Sequence, residues 1–201
     1  MFSTIKSLLF KNNNAIAEQI WLPFSVPINL IRLKVSNKSF LDKFYDDIYL
    51  ASFFNAYQLS MIEYFFEVTN EINKGKIVLK FVSMFDPIFK DHNKIAEYNK
   101  KLTAHKTNKD ALLGVDHASM AVAILCNTKK YLDNKIYLEA EKFYDSGDFH
   151  KRANDEEKIL DSMGKGKDTS KMPKNFAVSQ RFFELTFTKK LNEKFKNASK
   201  N

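Results

Sequence analysis

The sequence predicts an all-α protein: an irregular bundle of about five to seven amphipathic helices, with a proline-broken N-terminal arm and a basic C-terminal helix after a linker. Three observations carry this expectation. Five glycines and four prolines in 201 residues leave long runs free of helix breakers. Apolar residues recur at spacings of three and four, the period of a helix with one buried face. Side chains that cap helices open several of these runs. Apolar residues make up 44% of the chain and 19 of them are phenylalanine, which is ample material for a core. A chain of this length can bury roughly 70% of its unfolded surface.

The first seventeen residues, MFSTIKSLLFKNNNAIA, hold Lys6, Lys11 and three hydroxyl side chains, with no acid before Glu18. Ile5, Leu8 and Leu9 fall on one helical face. A basic, hydroxylated, acid-free amphipathic start resembles a mitochondrial presequence, although the arginine such segments favour is missing. Residues 15–35 are strongly apolar but contain Pro23 and Pro27. Each proline removes a backbone donor and disfavours helix at the residue before it, so a continuous helix is not expected here. This arm carries the only tryptophan, Trp21. It can pack over the protein's own core, lie in a membrane interface, or grip a neighbouring subunit.

The clearest element is expected from Ser39, where Ser39 and Asp42 resemble a capping box, to Lys74-Gly75, a helix-ending signal. Phe54, Tyr57, Met61, Phe65, Val68 and Ile72 recur at three and four, opposite Glu63, Glu67, Asn70 and Glu71. Its middle, 48–57, is apolar nearly all round and points to a central helix. It does not read as a bilayer span. Eight strongly apolar side chains within 48–66 contribute about −2.4 to −4.8 kcal/mol on an insertion scale, and Glu63 alone opposes this by about 2.5 to 3.5 kcal/mol. The apolar run 115–126 is shorter than the roughly 20 residues a span needs.

Residues 76–86 again show helical spacing. Asp86-Pro87 reads as an N-cap followed by proline at the first helical position, opening a helix to about Lys106. Thr107 and Asp110 resemble the next cap, and the following segment runs to Ser146-Gly147, with room for breaks near Gly114 and Asn134. Residues 140–149, with Ala153, resemble the middle of a tetratricopeptide repeat, where glycine turns one helix into the next. No second copy lies 34 residues away, so the stretch is read as an isolated helix–glycine–helix turn. A short helix at 150–162, a flexible linker from Gly164 to Lys174 and a last helix from Phe176 to Phe195 complete the chain. The expected division is therefore an arm (1–35), a bundle (36–163), a linker (164–175) and a basic helix (176–201).

The net charge is +8, but only Arg32, Arg152 and Arg181 among the 32 basic residues are arginine. Lysine, asparagine, phenylalanine and isoleucine all have AT-rich codons, so base composition accounts for part of the basicity. Arginine is the residue expected at bidentate phosphate and base contacts, and its scarcity weakens a nucleic-acid reading. Charge concentrates at the ends: residues 1–35 carry four basic residues against one acid, and residues 162–201 carry ten against three. A single cysteine, Cys126, precludes an intramolecular disulfide and suits a reducing compartment.

Groups that could do chemistry are scattered. Asp91-His92 and Asp116-His117 are adjacent pairs, which diverge by about 100° on a helix instead of sharing the face that metal ligands at i and i+4 share. His105 and His150 stand apart from them. Glu63/Glu67 and Glu139/Asp145 read as solvated charge, Cys126 as a buried structural thiol, and Gly164-Lys165-Gly166-Lys167 lacks the spacing of a phosphate loop. No residue is assigned as catalytic, and neither a metal nor a cofactor is expected.

What these features suggest is a non-enzymatic accessory subunit of a larger assembly, in first place a mitochondrial inner-membrane complex such as a respiratory complex or the ATP synthase. The alternatives are an RNA-contacting protein of a mitochondrial ribosome and a small helical enzyme. The expected partners are other protein subunits, with peripheral lipid contact and, less favoured, nucleic acid. The expected location is the mitochondrial inner membrane or its matrix side, otherwise the cytoplasm. Candidate contacts are Trp21, Leu22, Phe24 and Ile28 in the arm, and Phe183, Phe187, Leu191, Phe195, Lys189, Lys190 and Lys194 in the last helix.

Overall fold

The computed structural model describes residues 12–85, 107–127, 133–152 and 173–196, with Lys100 and Ala104. Residues 1–11 of the presequence-like start, the helix expected from Pro87 apart from Lys100 and Ala104, and the linker expected from Gly164 apart from Pro173 and Lys174 fall outside these; Lys174, expected to end the linker, already opens a helix. Every described element is helical, and no strand occurs among the described residues. The helices are α1 (Asn13–Arg32), α2 (Asn37–Asp46), α3 (Ile48–Ser60), α4 (Glu71–Phe85), α5 (Lys109–Leu125), α6 (Lys135–Asp145), α7 (Lys174–Phe183) and α8 (Lys189–Phe195). A π-helical turn, Met61–Phe65, extends α3, and a second, Glu184–Thr188, joins α7 to α8.

The first correction concerns the arm. Residues 13–32 form one helix straight through Pro23 and Pro27. Magnitudes explain why. A proline inside a helix costs about 3 kcal/mol, so two cost about 6. Against this, Ile16, Ile20, Phe24, Ile28 and Ile31 are all buried on one face of α1. Burying five such side chains is worth about 7–15 kcal/mol. Asn12 caps the helix, its Oδ1 accepting from the Asn14 amide at 2.9 Å, and the Ser25 hydroxyl donates to the Leu22 carbonyl at 2.8 Å.

The second correction concerns the long helix expected over 39–74, which is divided twice. It starts earlier, capped by Ser36, and breaks at Asp47. The Asp47 backbone is extended (φ −89°, ψ 100°), and its carboxylate accepts from the Leu50 amide at 3.1 Å to open α3. The second break follows the π turn. Phe66 donates to the Met61 carbonyl at 2.9 Å, Val68 to Ile62 at 3.0 Å, and Glu67 takes a positive φ of 55°. Asn70 then caps α4 through the Asn73 amide. Gly75 therefore lies inside α4 and ends nothing, and Gly114 lies inside an unbroken α5. The break at Asn134 occurs: its side chain caps α6 at 2.9 and 3.2 Å. Gly147 makes the turn after α6 with φ 80°, and residues 148–152 are helical again.

The core is an aromatic cluster centred on Phe24 of α1. Its ring meets Phe54 at 5.0 Å, Tyr57 at 5.2 Å, Phe183 at 5.0 Å and Phe187 at 4.9 Å, all edge to face. That geometry sets the positive ring edge against the negative face and adds to the area buried. α1, α3 and the C-terminal helix thus share one core. The closest-packed pair is α3 with α5. Small side chains permit the approach: Ala111, Gly114, Ala118 and Ala121 recur along α5, and a Cβ at Gly114 would stand 2.5 Å from the Tyr49 carbonyl oxygen. α7 is tied to α5 by the Ser179 hydroxyl, which donates to the Ala121 carbonyl at 2.8 Å.

Candidate functional site

The groups with chemical potential are built into the packing. His117 sits in the α3–α5 seam, its Nδ1 2.9 Å from the Tyr49 hydroxyl and its ring edge-on to Phe182. Burial lowers the His117 pKa, with a smaller opposing pull from Asp116, and burial pushes the Tyr49 hydroxyl far above its ordinary value. Burial thus favours the neutral form of both groups, and the imidazole tautomer sets which of the two donates. Asp116, its neighbour in sequence, is exposed. His150 packs against the rings of Tyr144 and Phe149, while His92 and His105 lie outside the described residues. No group of three or more His, Cys, Asp or Glu placed to hold a metal ion occurs among the described residues.

The acids behave as solvated charge or as structural anchors. Glu63 is bridged by Lys74 at 3.2 Å, whereas Glu67 stands beyond the helix end and so does not share a helical face with it. Asp145 and Glu141 both bind Lys174, at 2.8 and 3.1 Å. Cys126 is half-buried, with Sγ 3.9 Å from the Tyr64 carbonyl oxygen.

All three arginines have work inside the chain. The Arg32 guanidinium lies over the rings of Phe40 (4.9 Å) and Phe85 (5.3 Å) and donates to the Phe85 carbonyl at the end of α4. Arg152 donates to both oxygens of Glu184 through its two terminal nitrogens, at 2.9 and 3.0 Å. Arg181 holds the same carboxylate at 3.0 Å while stacking 4.6 Å from the Phe143 ring centre.

The candidate contact residues separate cleanly. Phe24, Ile28, Phe183, Phe187, Leu191 and Phe195 are buried in the chain's own core. Trp21 is half-buried and packs edge-on against Phe81 and Phe85. Lys190 lies over the Tyr49 ring at 5.8 Å, Lys194 is 3.9 Å from Asp47, and Lys189 is exposed. Leu22 alone of the apolar candidates is solvent-facing, at 57% exposure.

Leu22 is not isolated. Val26 (65%), Leu30 (54%) and Leu33 (68%) are exposed as well. At 100° per residue these four positions form a stripe about 80° wide, on the side of α1 opposite Phe24 and Ile31. Sequence reasoning singled out Leu22 and passed over the other three. The signal was present: spacing of four, four and three marks a second apolar face on a helix that already has one. The expectation of a proline-broken arm hid it, because a face exists only where the helix is continuous. A further surface feature is an open depression lined by Asn12, Asn13, Asn14, Asn73, Lys76 and Leu79, where the asparagines bond to one another or cap helices. No known protein family, no curated protein and no solved structure matches this chain.

Proposed function

We propose that this chain is a non-enzymatic accessory subunit of a larger assembly, held to its neighbours through the outer face of α1. The observation that carries this reading is the stripe of Leu22, Val26 and Leu30 on α1 with Leu33 at its C-cap, each more than half exposed on one side. Single exposed aliphatics are ordinary on any surface; contiguous apolar patches mark interaction sites. Residues 19–31 contain no charged side chain, which suits a face meant to be covered by another apolar surface.

The basic, hydroxylated, acid-free start supports placing the assembly in mitochondria, at an inner-membrane complex such as a respiratory complex or the ATP synthase. In this reading attachment is peripheral. No helix among the described residues is long and apolar enough to cross a membrane. The ribosomal alternative draws on lysine charge alone, since Arg32, Arg152 and Arg181 are engaged within the fold.

The test is native fractionation of detergent-solubilised organelle membranes, following the full chain. Co-migration with a large complex that survives nuclease, and is lost in Val26→Arg, is the expected result. Fractionation as a monodisperse soluble species of its own overturns the subunit reading. Salt-sensitive, nuclease-sensitive retention on RNA transfers support to the ribosomal alternative.

A further inference from the structure

We infer that the α1 stripe pairs antiparallel with the same stripe of a second copy of this chain; this rests on the docking surface proposed above and names its occupant. The stripe is close to symmetric end to end. Leu22 and Leu33 close it, and Val26 and Leu30 flank its midpoint. A two-fold axis through that midpoint places Leu22 over Leu33 and Val26 over Leu30 across the interface, the self-complementary arrangement of an isologous pair.

Charge selects the direction. The run 19–31 is uncharged, Glu18 precedes it, and Arg32 and Lys34 follow it, with Glu18 and Lys34 both exposed. Antiparallel pairing sets the acidic end of each helix beside the basic end of the other and opposes the two helix dipoles favourably. Parallel pairing would place like ends together. A different partner would need an uncharged apolar stripe of matching length with the opposite charge order; a second copy supplies both by symmetry.

Area sets the size class of the contact. A large aliphatic side chain loses on the order of 100 Å² on burial, so the four stripe residues with Gln19, Pro23 and Asn29 present roughly 500–600 Å² per copy. The pair then buries about 1,100 Å², just below the range of stable specific interfaces and among the weak, transient ones, so a reversible dimer is expected.

The experiment is sedimentation velocity of the full chain from about 1 to 200 µM, a range spanning micromolar dissociation. Mass rising from one chain to two is expected. Val26→Arg, beside the axis and facing Leu30 of the other copy, weakens the dimer at least tenfold, and Leu112→Arg, on an exposed position of α5, leaves it unchanged. In a Cys126→Ser background, Val26→Cys oxidises to a covalent dimer. Glu18→Cys does not, because antiparallel pairing holds the two copies of that position roughly 30 Å apart along the axis. A monomer at every concentration, a dimer indifferent to Val26→Arg, or cross-linking at Glu18→Cys each overturns the inference. A monomer that nevertheless loses co-migration with a large complex in Val26→Arg overturns only the second copy, and keeps the docking surface for a different protein.

Discussion

Gly114→Ala and Gly75→Ala are the same substitution inside two helices of one protein, and the structure gives them opposite signs. Alanine is preferred to glycine within a helix by about 0.5–1 kcal/mol, because glycine loses more backbone freedom on folding. At Gly75, in α4, an added Cβ meets nothing within 4 Å, so the full gain is expected. At Gly114 the Cβ would stand 2.5 Å from the Tyr49 carbonyl oxygen and 3.1 Å from the Phe53 amide nitrogen, where ordinary contact begins at 3.4 Å. Both obstacles are backbone, so no side chain can swing aside and α5 must back away from α3.

Overpacking of this kind costs about 1–3 kcal/mol, and a contact this short against backbone belongs at the upper end, about 2–3 kcal/mol, which leaves a net loss of about 1–2.5 kcal/mol after the helix gain. For a chain of this size 1 kcal/mol moves the melting midpoint by about 2–4 °C. Gly75→Ala should therefore raise the midpoint by about 1–4 °C, and Gly114→Ala should lower it by about 2–10 °C. Circular dichroism melts and urea titrations of both variants measure this. His117 lies one turn on from Gly114, so the retreat of α5 should also lengthen its hydrogen bond to Tyr49. A Gly114→Ala protein as stable as the parent, or a destabilised Gly75→Ala protein, would refute the account of how α3 and α5 meet.

Three further outcomes are expected. Phe24→Ala should cost about 3–5 kcal/mol by opening a cavity among four helical segments, while Leu22→Ala, two residues away on the exposed side, should stay within about 0.5 kcal/mol; urea midpoints compare them. Pro23→Ala should stabilise α1 by about 1–3 kcal/mol, since it restores a backbone donor facing the Gln19 carbonyl; an unchanged or lower midpoint would show that the ring packs better than the bond it removes. Because burial lowers the folded pKa of His117, the folded state binds fewer protons than the unfolded chain. The stability it supports is complete above the unfolded value near 6.5 and is lost as pH falls through that value towards the lowered one. Urea unfolding of the parent and His117→Asn at pH 7.5 and 5.5 should show a larger acid loss in the parent, and equal losses would refute the assignment.

The all-helical class was legible because helical periodicity and sparse glycine and proline are local properties, and local properties sum along a chain. Asn134 as a helix start and Gly147 as a turn were legible for the same reason: each acts within its own turn of backbone. Where helices end was less so. Asp47 divides α2 from α3 with no proline or glycine to announce it, and its capping bond is available only once the chain has bent. Gly75 has the residue type of a helix end and Gly114 that of a helix break, yet both lie within helices, the latter because the backbone of α3 needs the missing Cβ.

The candidate surface shows the division most clearly. Composition alone determined that residues 15–35 are apolar, uncharged from Gln19 to Ile31, and interrupted by two prolines. It could not decide which apolar side chains face inward, because that depends on Phe54, Tyr57, Phe183 and Phe187, brought to Phe24 from far along the chain. Their burial outweighs the proline penalty and keeps α1 helical. Only then do Leu22, Val26, Leu30 and Leu33 line up on the outside, because which face of a helix is left for a partner is settled by what the rest of the chain has already covered.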